Sequence, residues 1–107
     1  IDPRKCISFL TQKKEELTDS EKKLLGLNIY GCDTCQDVCP YNKTAEYSKI
    51  KEFKPFGWEV NINPDFILGL TNSEYKCTFK KVSCGWRGKR VLKRNTLIAL
   101  ENLKRNK

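Results

Sequence analysis

The sequence contains neither histidine nor methionine. Without histidine it lacks the commonest general base near neutral pH and the commonest nitrogen ligand for metals. Without methionine, even at position 1, it reads as an excised piece or a processed product. Long apolar runs are missing too, since no stretch approaches the roughly 18 residues of a membrane span. The opening Ile1-Asp2-Pro3-Arg4-Lys5-Cys6 has no apolar secretory segment. Strand signals are weak throughout. Negative charge is scarce in one region only. Residues 76–107 carry 11 basic side chains and a single acidic one, Glu101, whereas residues 1–75 carry 10 basic and 12 acidic. The formal charge of +8 therefore comes from the last third. Such a distribution suits a polyanionic partner, nucleic acid before others.

Cysteine is abundant: six in 107 residues. A chain of this length buries roughly 60–70% of its unfolded surface, so a core is possible but not generous. Three segments emerge. Residues 1–43 hold four of the cysteines. Residues 44–62 are lysine- and aromatic-rich, broken by Pro55 and Gly57, and read as a connector. Residues 63–107 read as basic helices. The fold class expected is mostly α. Pro3 opens a first helical turn, and Asp19 or Ser20 caps a helix through Leu25 that ends near Gly26. A turn runs from Asp33 to Cys39. Asn63-Pro64 starts a helix through Leu70, and Thr71 to Glu74 forms a capping box for a helix to Lys80. The last helix runs from Lys89 to Lys104 with Val91, Leu92, Ile98, Ala99 and Leu103 on its buried face.

The chemistry lies in Cys32-Asp33-Thr34-Cys35-Gln36-Asp37-Val38-Cys39-Pro40. The bacterial ferredoxin run is C-x2-C-x2-C-x3-C-P, and its fourth cysteine serves the other cluster of a two-cluster protein. Three of those cysteines and the proline are present, with Ile29 in the place of the first. Two thiolates three residues apart on a tight turn can grip two corners of a cubane, while the third, a helical turn later, points elsewhere. Gly31 lets backbone approach sulfur. Cys6 is available as a third ligand for the cluster of Cys32 and Cys35, and Cys39 belongs to the second. The remaining ligands are expected from a full four-cysteine run preceding Ile1. A zinc site from Cys6, Cys32, Cys35 and Cys39, or a disulfide framework, are the alternatives from spacing. Cys77 and Cys84 lie outside this pattern and read as partly buried free thiols.

Arg4-Lys5-Cys6-Ile7-Ser8-Phe9-Leu10-Thr11, the stretch Ile29 to Asn42, and the later pairs Leu92-Lys93-Arg94-Asn95 and Ala99-Leu100-Glu101-Asn102 resemble the C-terminal half of epoxyqueuosine reductases. Glu101 stands where that family usually has glycine. The resemblance covers most of the chain and is weak from Ala45 to Leu70. It implies a cytoplasmic, cobalamin-dependent oxidoreductase with two 4Fe–4S clusters, reducing epoxyqueuosine to queuosine in tRNA. An external donor would supply its electrons. The corrinoid domain and catalytic acid would lie in the upstream half of the same protein, so no catalytic residue is expected here and the segment alone is expected to be inactive. By motif, Cys6, Cys32 and Cys35 would hold the cluster nearer the corrinoid and Cys39 the other. Ser8 and Asp33 would approach the cobalamin. A ferredoxin-like half-module would be followed by a HEAT-like helical region. There Arg87, Lys89, Arg90, Lys93 and Arg94 would meet tRNA phosphates, Trp86 would stack on a base, and Lys13 and Lys14 would add weaker contacts. Arg94-Asn95 also has a structural reading, as a buttress of helix packing. The rival functions are a ferredoxin-like electron-transfer module of another corrinoid enzyme and a structural zinc module.

Overall fold

The computed structural model describes residues 2–53 and 62–105. Those residues are mostly helical, without strands. In chain order the α-helices are α1 (Ile7–Gln12), α2 (Asp19–Leu25), α3 (Thr34–Asp37), α4 (Pro64–Leu68), α5 (Asn72–Cys77) and α6 (Lys89–Arg105). Short 3₁₀ turns intervene at Pro3–Lys5, Pro40–Asn42, Lys51–Phe53, Phe79–Lys81 and Ser83–Gly85. Pro3 opens a 3₁₀ turn, and α1 begins separately after Cys6. Residues 44–53 of the connector are exposed. Pro55 and Gly57 lie outside the described residues.

The helix ends follow capping chemistry. The cap of α2 is Thr18 rather than Asp19 or Ser20: its hydroxyl accepts from Glu21 N–H, and the Glu21 carboxylate accepts from Thr18 N–H at 3.0 Å. Glu21 is what decides the register, because a capping box needs it three residues on. Asn63 caps α4 through the Asp65 amide, although α4 stops at Leu68 rather than Leu70. At α5 Thr71 accepts from Glu74 N–H, and its hydroxyl bonds the Glu74 carboxylate. This helix ends at Cys77, three residues before the expected Lys80, and a 3₁₀ turn carries Phe79 into the core. Cys77 is exposed rather than partly buried, whereas Cys84 is half-buried.

Two apolar clusters make up the core. Leu10, Leu17, Leu25 and Ile98 form one, with Ile7 against it. Ile67, Leu70, Phe79 and Leu92 form the other, flanked by Ile29, Tyr30, Val82 and Tyr75. Each fully buried side chain of this size contributes about 1.5–3 kcal/mol relative to exposure. The long helix α6 enters both clusters, through Ile98 and Leu92, and so binds the cysteine-rich segment to the later helices. Its buried face holds Val91, Leu92, Ile98 and Ala99 as expected, but Leu103 is 45% exposed. Asn95, Thr96 and Asn102 are buried on that face instead. Gly85 is required sterically, because a Cβ there would sit 1.9 Å from the Phe79 carbonyl oxygen. The Tyr75 hydroxyl donates to the Gly85 carbonyl across the same contact, and burial pushes the Tyr75 phenol above its ordinary pKa.

Candidate metal centre

The Cys32–Cys39 segment is a loop followed by one helical turn. Gly31 adopts φ +75°, a left-handed conformation that costs a residue with a Cβ roughly 1–2 kcal/mol. A Cβ there would meet nothing within 4 Å, so conformation, not space, demands glycine. The chain then turns into α3, where Gln36 and Asp37 amides donate to the Asp33 carbonyl at 2.9 and 2.8 Å. Asp33 occupies the N-cap position with its side chain making no capping bond. Pro40 opens the next 3₁₀ turn and directs the chain away after Cys39.

The thiols have polar neighbours. Cys32 Sγ lies 3.3 Å from Thr34 Oγ1. Gln36 Nε2 donates to Cys35 Sγ at 3.7 Å, and Asn42 Nδ2 fixes that glutamine through its Oε1 at 2.9 Å and its carbonyl at 3.1 Å. Such outer contacts orient ligands and tune the metal group they hold. Cys6, Cys32 and Cys39 are half-buried, Cys35 is exposed, and none forms a disulfide. Among the described residues, no three His, Cys, Asp or Glu side chains converge as they would around a single ion.

Cys6 caps the N-terminal end of α1 by position, with Leu10 N–H donating to its carbonyl at 3.2 Å. It lines a cleft of about 520 Å³ together with Ser8, Phe9, Gln12, Lys13, Lys14, Glu15 and Arg87. One of the two cobalamin candidates, Ser8, thus shares a cleft with a candidate cluster ligand and with three candidate phosphate contacts. Asp33 is exposed on the cysteine loop and does not line that cleft.

The other basic candidates divide into two groups. Arg94 is turned inward. Its guanidinium donates to the carbonyls of Lys13 (2.5 Å), Glu15 (3.0 Å) and Leu10 (3.3 Å) and to Asn95 Oδ1. Burial first, and then the charge of Arg90, push it below its ordinary pKa. Lys93 donates to the Leu70 carbonyl. Both therefore cap helix ends within the fold, as the structural reading of Arg94-Asn95 anticipated for the arginine. Lys13 pairs with Glu21 at 3.1 Å. By contrast Lys14 and Arg90 are exposed, Arg90 bonding the Lys14 carbonyl, and Lys89 reaches Asn72. Arg87 stacks on the exposed Trp86, 3.8 Å from the ring centroid, and Trp86 Nε1 donates to Gln12. Lys89, Arg90, Lys93 and Arg94 also line a groove of about 660 Å³ with Lys22 and Glu101.

The profile of the 4Fe-4S double cluster binding domain matches residues 1–42. Over 104 residues, 97% of this chain, the epoxyqueuosine reductase of Bacillus subtilis is 39% identical, and the match spans 27% of that protein. An uncharacterised Geobacillus stearothermophilus protein is also 39% identical, over 48% of its length. A crystal structure of epoxyqueuosine reductase with an epoxyqueuosine-modified tRNA stem loop superposes with a TM-score of 0.88 at 39% identity, covering 97% of this chain and 28% of that one. The chain is akin to a segment of the epoxyqueuosine reductases. It spans about a quarter of the reductases it matches and about half of the Geobacillus protein.

The residues present fit an iron–sulfur group. Such clusters are held by cysteine thiolates, and four undisulfided thiols lie within the matched domain. The left-handed glycine beside Cys32 leaves open space on the side where a Cβ would stand. Sequence reading overlooked Thr11, Gln36, Asn42 and Asn102 as contributors. All four fall within the stretches that carry the reductase resemblance, and their polar side chains beside ligands or on an apolar helix face were the available signal. No described helix is long and apolar enough to cross a membrane.

Proposed function

We propose that this chain is the cluster-ligating, RNA-facing part of a cytoplasmic enzyme that reduces epoxyqueuosine to queuosine in tRNA. The observation that carries the reading is the C-x2-C-x3-C-P loop with Cys6 inside the residues matched by the double-cluster domain. The likeness to epoxyqueuosine reductases supports the substrate. Cys6, Cys32 and Cys35 would hold one 4Fe–4S cluster with one ligand from outside the chain, and Cys39 would join three outside cysteines on the other, as in a ferredoxin-like module. Those clusters would pass electrons from an external donor to a cobalamin bound by the rest of the protein. Ser8 and Asp33 are the residues proposed to face it, Ser8 from the cleft it shares with Cys6. The helical remainder, proposed as HEAT-like, would present Lys14, Arg87, Lys89 and Arg90 to phosphates, with Lys13 beside them and Trp86 offering a stacking face. Lys93 and Arg94 would serve mainly by holding that surface together.

The test is iron and sulfide content of the full-length protein reconstituted without oxygen. About eight irons per chain are expected. Cys6→Ser and Cys39→Ser should each perturb a different cluster. Bound zinc with no iron would overturn the reading in favour of a structural zinc module. Two intact clusters in a protein that ignores tRNA at low salt would favour an electron-transfer module instead.

A further inference from the structure

One buried polar network ties the helix that begins at Cys6 to the loop that carries Cys32. Thr11 and Asn95 are both fully buried, at 0% exposure. The Thr11 hydroxyl has one proton, and it goes to the Ser8 carbonyl at 2.7 Å. Its oxygen is thereby left to accept the Gly31 N–H at 3.0 Å. Asn95 uses both amide protons, on the Thr11 carbonyl (2.7 Å) and the Ile29 carbonyl (2.8 Å). Its Oδ1 takes two bonds from Arg94. Every donor of these two side chains is engaged and each oxygen accepts at least one bond, which is the condition under which a buried network rigidifies its surroundings.

The geometry has two effects at the cysteines. The Ile29 carbonyl and the Gly31 amide bracket Tyr30, two residues before Cys32, and both are held to α1, directly or through Asn95. The separation between the Cys6 and Cys32 backbones is thus fixed by side chains of α1 and α6. The Gly31 amide is also occupied. In a cysteine loop a free N–H is available to sulfur, and hydrogen bonds to the sulfurs raise or lower a cluster's potential together with its exposure to water. Thr11 withholds that donor.

We infer that Thr11, held by Asn95, is a positioning residue that sets the reduction potential of the cluster served by Cys6, Cys32 and Cys35, and leaves the cluster served by Cys39 untouched. This rests on the ligand reading proposed above. The selectivity follows from the network's reach. It touches the chain at Ser8, Thr11, Ile29 and Gly31, all adjacent to the first ligand set, and makes no contact in α3 or with Cys39.

The experiment uses the full-length protein carrying both clusters, reconstituted without oxygen, with Thr11→Val and Thr11→Ser variants. Valine keeps the branched shape and removes the hydroxyl; serine keeps the hydroxyl. Iron content, melting temperature and a redox titration followed by electron paramagnetic resonance are read together. In Thr11→Val one cluster should titrate at a higher potential. The freed Gly31 amide and the loosened loop both favour the more negatively charged reduced state. The second cluster should be unmoved, and Thr11→Ser should restore the first. Selective loss of one cluster's iron would overturn the potential-setting role, because it marks a residue needed for assembly. Unchanged potentials in a variant holding both clusters would overturn the inference alone. So would an equal shift or loss of both clusters with a lowered melting temperature, because that marks a purely structural residue. A wild-type protein that takes up no iron would overturn the ligand reading and the inference with it.

Discussion

Asn95→Ala should be among the most damaging single changes in α6. Its amide satisfies the Thr11 and Ile29 carbonyls, both from a side chain with no exposed surface. Removing one partner of a buried hydrogen bond strands the other at a cost of about 1–3 kcal/mol. Two stranded carbonyls, less some relief from loop movement or an admitted water, amount to about 3–4 kcal/mol. Against a total stability of about 5–15 kcal/mol that is a large fraction. With a urea slope of about 1–3 kcal/mol per molar, the unfolding midpoint should fall by about 1–4 M. The assay is urea unfolding of the reduced, metal-free protein by far-ultraviolet circular dichroism. Leu103→Ala, at a site 45% exposed, is the internal control and should cost about 1 kcal/mol or less. Hydrophobic pattern alone ranks the two residues the other way. A loss below about 1 kcal/mol for Asn95→Ala, or a larger loss for Leu103→Ala, would refute the assignment of Asn95 as the tie between α1 and α6.

Glu21 is held below its usual value of 4.5, first by the Thr18 amide and then by Lys13. A depressed folded value means its contribution is present above the unfolded value and disappears as pH falls through the folded one, so Glu21→Gln should flatten the acid side of a melting-temperature profile below about pH 4.5. An unaltered acid limb would argue against the capping box as its source. For RNA binding, Lys14→Ala and Arg90→Ala should each weaken tRNA affinity and lower the salt slope by about 0.7–0.9, whereas Lys93→Ala should mainly lower stability. Equal salt slopes for all three variants would refute the division between outward and inward cations.

The last helix was legible to within one residue at its C-terminal end, because its apolar spacing and the Gly88 preceding it are local signals. The cap of α2 was displaced by one or two residues because Asp19 and Ser20 are good caps in isolation, and only the reciprocal bond to Glu21 separates Thr18 from them. The turn that begins at Asp33 and the new start at Pro40 were legible from sequence, since both are local properties of the chain. The roles of Arg94 and Lys93 were not fully so. Their partners lie far along the chain, as Lys13 and Leu70 carbonyls, and a basic residue on a basic helix carries no mark of turning inward. Asn95 was legible as half of a structural pair with Arg94, though not its partners Thr11 and Ile29, and Asn102 was hidden altogether. Asn102 bonds the Lys22 and Gly26 carbonyls at the end of α2, both at 2.9 Å, a pairing that no periodicity encodes.

Ile29 stands where a complete ferredoxin run would place its first cysteine. Its carbonyl is held by Asn95, and its side chain packs against the cluster of Ile67, Leu70, Phe79 and Leu92. A thiol installed there would be delivered to an aliphatic interior, not to the loop that displays Cys32 and Cys35. One substitution therefore does not turn this segment into a self-sufficient four-cysteine ferredoxin. On the ligand set proposed above, the same packing that stabilises the helices leaves the loop to borrow a ligand, and cluster assembly would then act as a checkpoint for association with the donor of that ligand.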